Sequence, residues 1–135
     1  RFKVSYYHDA QEAPSVEDII TLLRKHEVNA NVLHSFGQFL DIVPSRASKG
    51  QALRYISHRL DIPLKQMLVA GGSGADEDMM RGNTLAVVVG NRHYEELSEL
   101  ADMERIYFAE KPFAAGIMEA ADHYDFFSSC TPPIS

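Results

Sequence analysis

Apolar and polar positions alternate through the opening of the chain, with Phe2, Val4 and Tyr6 set against Lys3 and Ser5. A period of two predicts a half-buried strand over residues 2–7. Ala13, Pro14 and Ser15 break that pattern. Ser15 and Asp18 have capping-box spacing, an aspartate standing in for the usual glutamate. Val16, Ile19, Ile20 and Leu23 then fall at i, i+3, i+4 and i+7, the signature of an amphipathic helix reaching about residue 27. Two strand-like runs, 31–34 and 39–43, flank the turn composition Ser35, Phe36, Gly37 and predict a hairpin. Residues 1–44 therefore read as one small β-α-β-β layer.

The period changes after Pro44. Ala52, Leu53, Ile56 and Leu60 are expected to form the apolar face of a helix beginning near Ser48. Residues 67–70 are an uninterrupted apolar run that ends at Gly71 and Gly72, as in a parallel strand covered on both faces. An acid-rich helix start follows at Asp76, Glu77 and Asp78, with Met79 and Met80 as helix core. Further along come a strand over 85–89, a helix over about 94–101, a strand over 106–108 and a helix over about 113–121. Strands alternating with helices at this spacing predict an open parallel sheet in an α/β fold. Ligands of such sheets lie beyond the carboxyl ends of the strands, which directs attention to the loops 71–75 and 90–92.

A length of 135 residues with a 45% apolar share suits one compact domain. The formal charge of −6 argues against nucleic-acid and anionic-membrane partners, which are held by Lys and Arg. The longest apolar run, 85–89, is too short to cross a bilayer. Cys130 has no partner for an internal disulfide and no signal peptide precedes the first strand pattern, so a cytoplasmic setting is expected. The chain starts without Met and inside a strand-like pattern, and is expected to be a piece of a longer protein. The six histidines show no metal-ligand spacing.

Two features carry candidate chemistry. Gly71, Gly72, Ser73 and Gly74 join a strand end to a helix start, where glycines admit an anion close to the backbone and the first helical N–H groups point at it. The same turn serves equally as a tight connection with Asp76 as N-cap. Neither a dinucleotide-type glycine fingerprint nor a Walker lysine accompanies it, and the glycine pattern of a serine-hydrolase elbow is missing its last residue. Lys49 falls in the first turn of the second predicted helix, where the dipole favours acids. A lysine there is either kept for an anion or simply exposed.

The order of these elements resembles the haloacid-dehalogenase (HAD) phosphatases. Ser48, Lys49, Gly50, Gln51, Ala52 and Leu53 look like their third motif, in which a helix-start lysine contacts the phosphoryl group. The stretch 69–79 looks like the fourth motif, usually Gly-Asp-Ser-Gly-Asn-Asp, and 85–91 like the strand and loop that close the active site. Ala101, Asp102, Gly116 and Ile117 resemble the closing strand and helix, so the likeness runs through about residue 125. The stretches 71–84 and 36–41 are most similar to the sucrose-phosphatase-like domain of bacterial sucrose-phosphate synthases.

That resemblance implies the C-terminal half of a HAD-like Rossmannoid parallel sheet with helices on both faces, preceded by the end of an α/β cap module. The cap would occupy 1–44, the core 45–127 and a tail 128–135. It implies Lys49 and Asp76 at catalytic positions, and Lys49, Gly72, Ser73, Gly74 and Asn91 around a phosphate. Gln38 and Asp41 would meet the sugar. Mg²⁺ is the family's cofactor, with Asp76 its remaining ligand position. The ligand class would be sugar phosphates like sucrose 6-phosphate, and the partner an upstream glycosyltransferase domain making that compound from UDP-glucose and fructose 6-phosphate.

The chain departs from the family twice. It holds no Asp-x-Asp-x-Thr/Val motif, so covalent catalysis has no nucleophile within it. Gly72 stands where the family keeps its Mg²⁺-binding aspartate, and Ala75 where it keeps asparagine. Glu77 and Asp78 would point about 100° and 200° away from Asp76 on a helix. The resulting expectation is a binding or regulatory module with phosphatase activity lost and Mg²⁺ weak or absent. Two other readings stand beside it: a Mg²⁺-dependent phosphatase whose N-terminal half lies outside this chain, and an assembly domain without a ligand. Lacking a neighbour, the strand at 67–70 would present an open edge, to be covered by self-association or by rearranged elements.

Overall fold

The computed structural model describes residues 3–93 and 97–129. Its first sheet is antiparallel, built from β1 (Val4–Tyr7), β2 (Ala30–Ser35) and β3 (Phe39–Pro44) in the order β1-β3-β2. Helix α1 (Val16–Lys25) starts at Ser15, whose hydroxyl accepts the Asp18 N–H at 3.1 Å. Its half-buried positions are Val16, Ile19, Ile20 and Leu23, and it packs on β2. The hairpin between β2 and β3 turns through Phe36 and Gly37, both at positive φ (55° and 67°). β1 corrects an expectation: all four of its residues are exposed. It is the edge strand farthest from β2, on which α1 packs, so its alternating apolar side has little to bury against.

The second sheet is parallel, with β4 (Leu68–Gly71), β5 (Leu85–Val88) and β6 (Ile106–Phe108) in sequence order. Helices α2 (Lys49–Leu60), α3 (Glu77–Met80), α4 (Phe113–His123) and α5 (Phe126–Ser129) complete the described elements with short 3₁₀ turns. The pleat sends alternate residues to opposite faces. Val69, Ala86, Val88 and Ile106 pack with Met80, Leu97 and Leu100, while Val87 packs with Ala109 and Ala120 of the α4 side. The sheet is thus covered on both faces, as its unbroken apolar runs predict.

Two expectations change here. The helix expected over 94–101 lies partly outside the described residues, and its described end is a 3₁₀ turn at Ser98–Leu100. The apolar face expected on α2 is largely uncovered: Ala52 is exposed, Ile56 is 46% exposed and Leu60 61%, and only Leu53 reaches the core, while Tyr55 beside them is 69% exposed. No described strand pairs with the outer side of β4. Cys130 and most of the expected tail lie outside the described residues.

Candidate functional site

The third-motif helix and the glycine turn meet at Asp76. Ser48 caps α2 by accepting the Gln51 N–H at 3.1 Å, which sets Lys49 in the first turn, and the Lys49 ammonium forms an ion pair with Oδ1 of Asp76. The second carboxylate oxygen, Oδ2, accepts the N–H groups of Gly72 at 3.0 Å and Ser73 at 3.1 Å and the Ser73 hydroxyl at 3.3 Å. Burial pushes the Asp76 carboxyl up, but the Lys49, Gly72 and Ser73 hydrogen bonds outweigh it and hold its pKa below the ordinary value. Gly71 is required for this closure, because a Cβ there would lie 2.5 Å from Asp76. Asp78 makes a second tie, its Oδ2 accepting the Gly50 N–H of α2 at 2.9 Å. Two of the three acids in this stretch, Asp76 and Asp78, therefore grip the start of the lysine-bearing helix.

Beside this knot, at the carboxyl ends of β4 and β5, opens a cavity of about 350 Å³. Gly71, Gly72, Ser73, Asp76 and Asn91 give it a polar floor, and Phe36, Phe113, Ala114 and Ile117 an apolar wall. Asn91 is there as expected, but its Oδ1 accepts the Phe113 N–H at 2.8 Å. This supplies the cap that Pro112 cannot give α4, so the side chain is at least half committed to structure. Gln38 and Asp41 do not line the cavity. Asp41 is held by Lys3 at 2.7 Å, and Gln38 is an exposed turn residue. The residue of the β2–β3 hairpin that does line the cavity is Phe36. A phenylalanine at a hairpin turn position that favours Asn, Asp or Gly was the available signal.

A family model described as sucrose-6F-phosphate phosphohydrolase matches residues 1–125. The chain belongs to this family. The sucrose-phosphatase of Synechocystis, solved with sucrose and phosphate, superposes with a TM-score of 0.84 at 32% identity, covering 92% of this chain and 52% of that one. The mannosylfructose-phosphate phosphatase of Agrobacterium fabrum is 31% identical over 120 residues, which are 88% of this chain and 48% of the relative. The glucosylglycerol-phosphate synthase of Pseudomonas anguilliseptica is 27% identical over 124 residues, 92% of this chain and 16% of the relative. A haloacid-dehalogenase-like hydrolase of B. subtilis, with a TM-score of 0.63 at 21% identity, shares the fold. The chain is a sucrose-phosphatase-like HAD domain, and it spans about half the length of the Synechocystis and Agrobacterium phosphatases and about a third of the plant sucrose-phosphatases it matches.

Members of this family are generally Mg²⁺-dependent. Mg²⁺ demands several oxygen ligands in tight octahedral geometry. Gly72 and Ala75 bring no side-chain oxygen, and both oxygens of Asp76 already accept from an ammonium or from N–H and O–H donors. The groups gathered around Asp76 are donors that occupy both oxygens of its carboxylate, an arrangement that does not fit a divalent cation.

Proposed function

We propose that this chain is a sugar-phosphate-binding domain that holds ligands of the sucrose 6-phosphate class without cleaving them, in a protein that also carries a sucrose-phosphate-synthase-type glycosyltransferase. One observation carries the reading: the Lys49 ammonium and the Gly72–Ser73 turn converge on Asp76 at the floor of the cavity. Asp76 takes one of the three ammonium protons and leaves two for an anion. The Ser73 hydroxyl can turn to donate as well. Asp76 is thus a positioning residue that presents Lys49; Gly72, Ser73 and Asn91 line the cavity that would take the phosphate, whereas Gly74, expected with them, lies outside it against β2. The test is calorimetric titration of the full chain with sucrose 6-phosphate and with inorganic phosphate. Lys49→Met should weaken both by about 10- to 100-fold, the loss of a charged hydrogen-bond donor. Equal affinity in wild type and variant would overturn the assignment.

A Mg²⁺-dependent phosphatase completed by residues outside this chain is the second reading. It is favoured by the backbone of Gly72, which lies outside the left-handed region and leaves a Cβ no contact closer than 3.2 Å, to a Val89 methyl. The position can accept a side chain, so its lack of an acid is not imposed by sterics. Mg²⁺-dependent release of phosphate from sucrose 6-phosphate by the full-length protein would establish this reading and exclude the first.

The outer edge of β4 and the Tyr55, Ile56 and Leu60 face of α2 support a partner in either case. An open strand edge and an exposed apolar helix face are each surfaces that proteins cover. The glycosyltransferase-bearing remainder of the protein is the proposed cover, and a second copy the substitute when that is absent.

A further inference from the structure

Five described non-glycine residues have positive φ: Glu27, Phe36, Asp61, Phe113 and Asp125. Bulky side chains are penalised in this region, where Gly, Asn and Asp are tolerated. The two phenylalanines, at 55° and 51°, are its bulky apolar members, and both line the same cavity. They come from different elements. Phe36 tips the β2–β3 hairpin, with its ring edge-on to His93 of the core at 6.4 Å and 88°. Phe113 opens α4, its N–H fixed by Asn91. Both rings stay largely in solvent, 55% and 70% exposed. Strain of this kind is retained where the side chain's placement serves a ligand.

We propose that Phe36 and Phe113 form an aromatic clamp for the sugar ring of the ligand, and that they, with Ile117, decide between sugar phosphates and free phosphate. The inference rests on the phosphate reading above and adds its second half. A sugar ring presents an apolar C–H face that packs on an aromatic face and takes part in its electrostatics. The Gly72–Ser73 turn, whose Ser73 hydroxyl can re-aim to donate, lies with Asp76 in the same cavity as this wall, so one molecule with a charged end and a ring can meet both. The volume of about 350 Å³ lies at the small end of ligand sites. Inorganic phosphate makes no use of the wall.

The chain has no tryptophan, so Phe36→Trp places a single indole reporter in the clamp. Its emission should change on adding sucrose 6-phosphate and stay constant on adding inorganic phosphate. Phe36→Ala and Phe113→Ala should each lower the affinity ratio of sucrose 6-phosphate to inorganic phosphate roughly five- to tenfold, the loss of one aromatic anchor. Phe36→Asn, whose side chain suits the turn, should keep or raise Tm while losing the same ratio, which separates binding from folding. An unchanged ratio in the alanine variants, or an indole that ignores the sugar, overturns the clamp and leaves the phosphate reading intact. If inorganic phosphate fails to bind while sucrose binds and is lost in Phe36→Ala, the clamp stands and the phosphate reading falls.

Discussion

Asp76→Asn removes one charge from the centre of the site and leaves its shape almost unchanged. The carboxylate collects four donors: the Lys49 ammonium, the N–H groups of Gly72 and Ser73, and the Ser73 hydroxyl. An amide can offer its one oxygen to the turn, and its NH₂ must then face the ammonium, donor against donor. The Lys49 side chain is 53% exposed, so losing the pair costs only about 1 kcal/mol. The backbone donors, now serving a neutral acceptor, lose roughly 0.5–1 kcal/mol each. The sum is about 2–3 kcal/mol, or a Tm lowered by about 10 °C for a domain of this size.

The pH dependence has a definite sign. Asp76 has a lowered pKa in the folded state, so the unfolded chain binds the proton more readily. The stabilisation is complete above the unfolded pKa of about 4 and is lost as pH falls through the folded pKa. Guanidinium denaturation of wild type and Asp76→Asn should give curves well separated at neutral pH that converge in acid. A gap below about 0.5 kcal/mol at neutral pH, or one that persists undiminished in acid, would refute the assignment of Asp76 as the keystone of the turn.

Other changes probe separate parts of the fold. Asp78→Ala leaves the Gly50 N–H without its acceptor; it should cost about 1 kcal/mol and speed amide exchange at the start of α2. Ile56→Asp on the exposed face of α2 should abolish concentration-dependent association in sedimentation, with a stability change within about 0.5 kcal/mol. Phe36→Asn should raise stability by about 1 kcal/mol by relieving the left-handed backbone, read as a shift in denaturation midpoint at constant m-value.

The parts of the fold legible in the sequence were those set by local period. Val16, Ile19, Ile20 and Leu23 are the half-buried positions of α1, and the unbroken runs of β4 and β5 lie in a parallel sheet covered on both faces. The meeting of Lys49 with the glycine turn followed from motif order. Period names an apolar face without saying whether anything covers it, so β1 and α2 were read as more buried than they are. Long-range hydrogen bonds left no local trace. Asp78 caps a helix begun 28 residues earlier, and Asn91 caps one begun 22 residues later. Phe36 was hidden because its turn chemistry was read as a connection, when the cost of placing phenylalanine at positive φ was the clue to a site.

On the proposed reading residue 72 separates binding from cleavage, and its electrostatics give a test independent of turnover. The Gly72 N–H is bonded to Asp76 and its carbonyl to the His93 N–H, so only a side chain could add a ligand there. Gly72→Asp would set a second carboxylate near Asp76, where Lys49 is already paired and the neighbouring Arg92 guanidinium lies over the Phe108 ring at 5.0 Å. Like charges at such range raise one pKa and destabilise the fold, here by about 1–2 kcal/mol at neutral pH. A divalent cation reverses the sign. Mg²⁺ at tenfold its Kd would return about 1.4 kcal/mol, seen as a Tm that climbs with Mg²⁺ in the variant and stays flat in wild type. A wild-type chain whose Tm climbs equally would show that it gathers metal ligands without a second acid, and the anion-only account of this floor would be wrong.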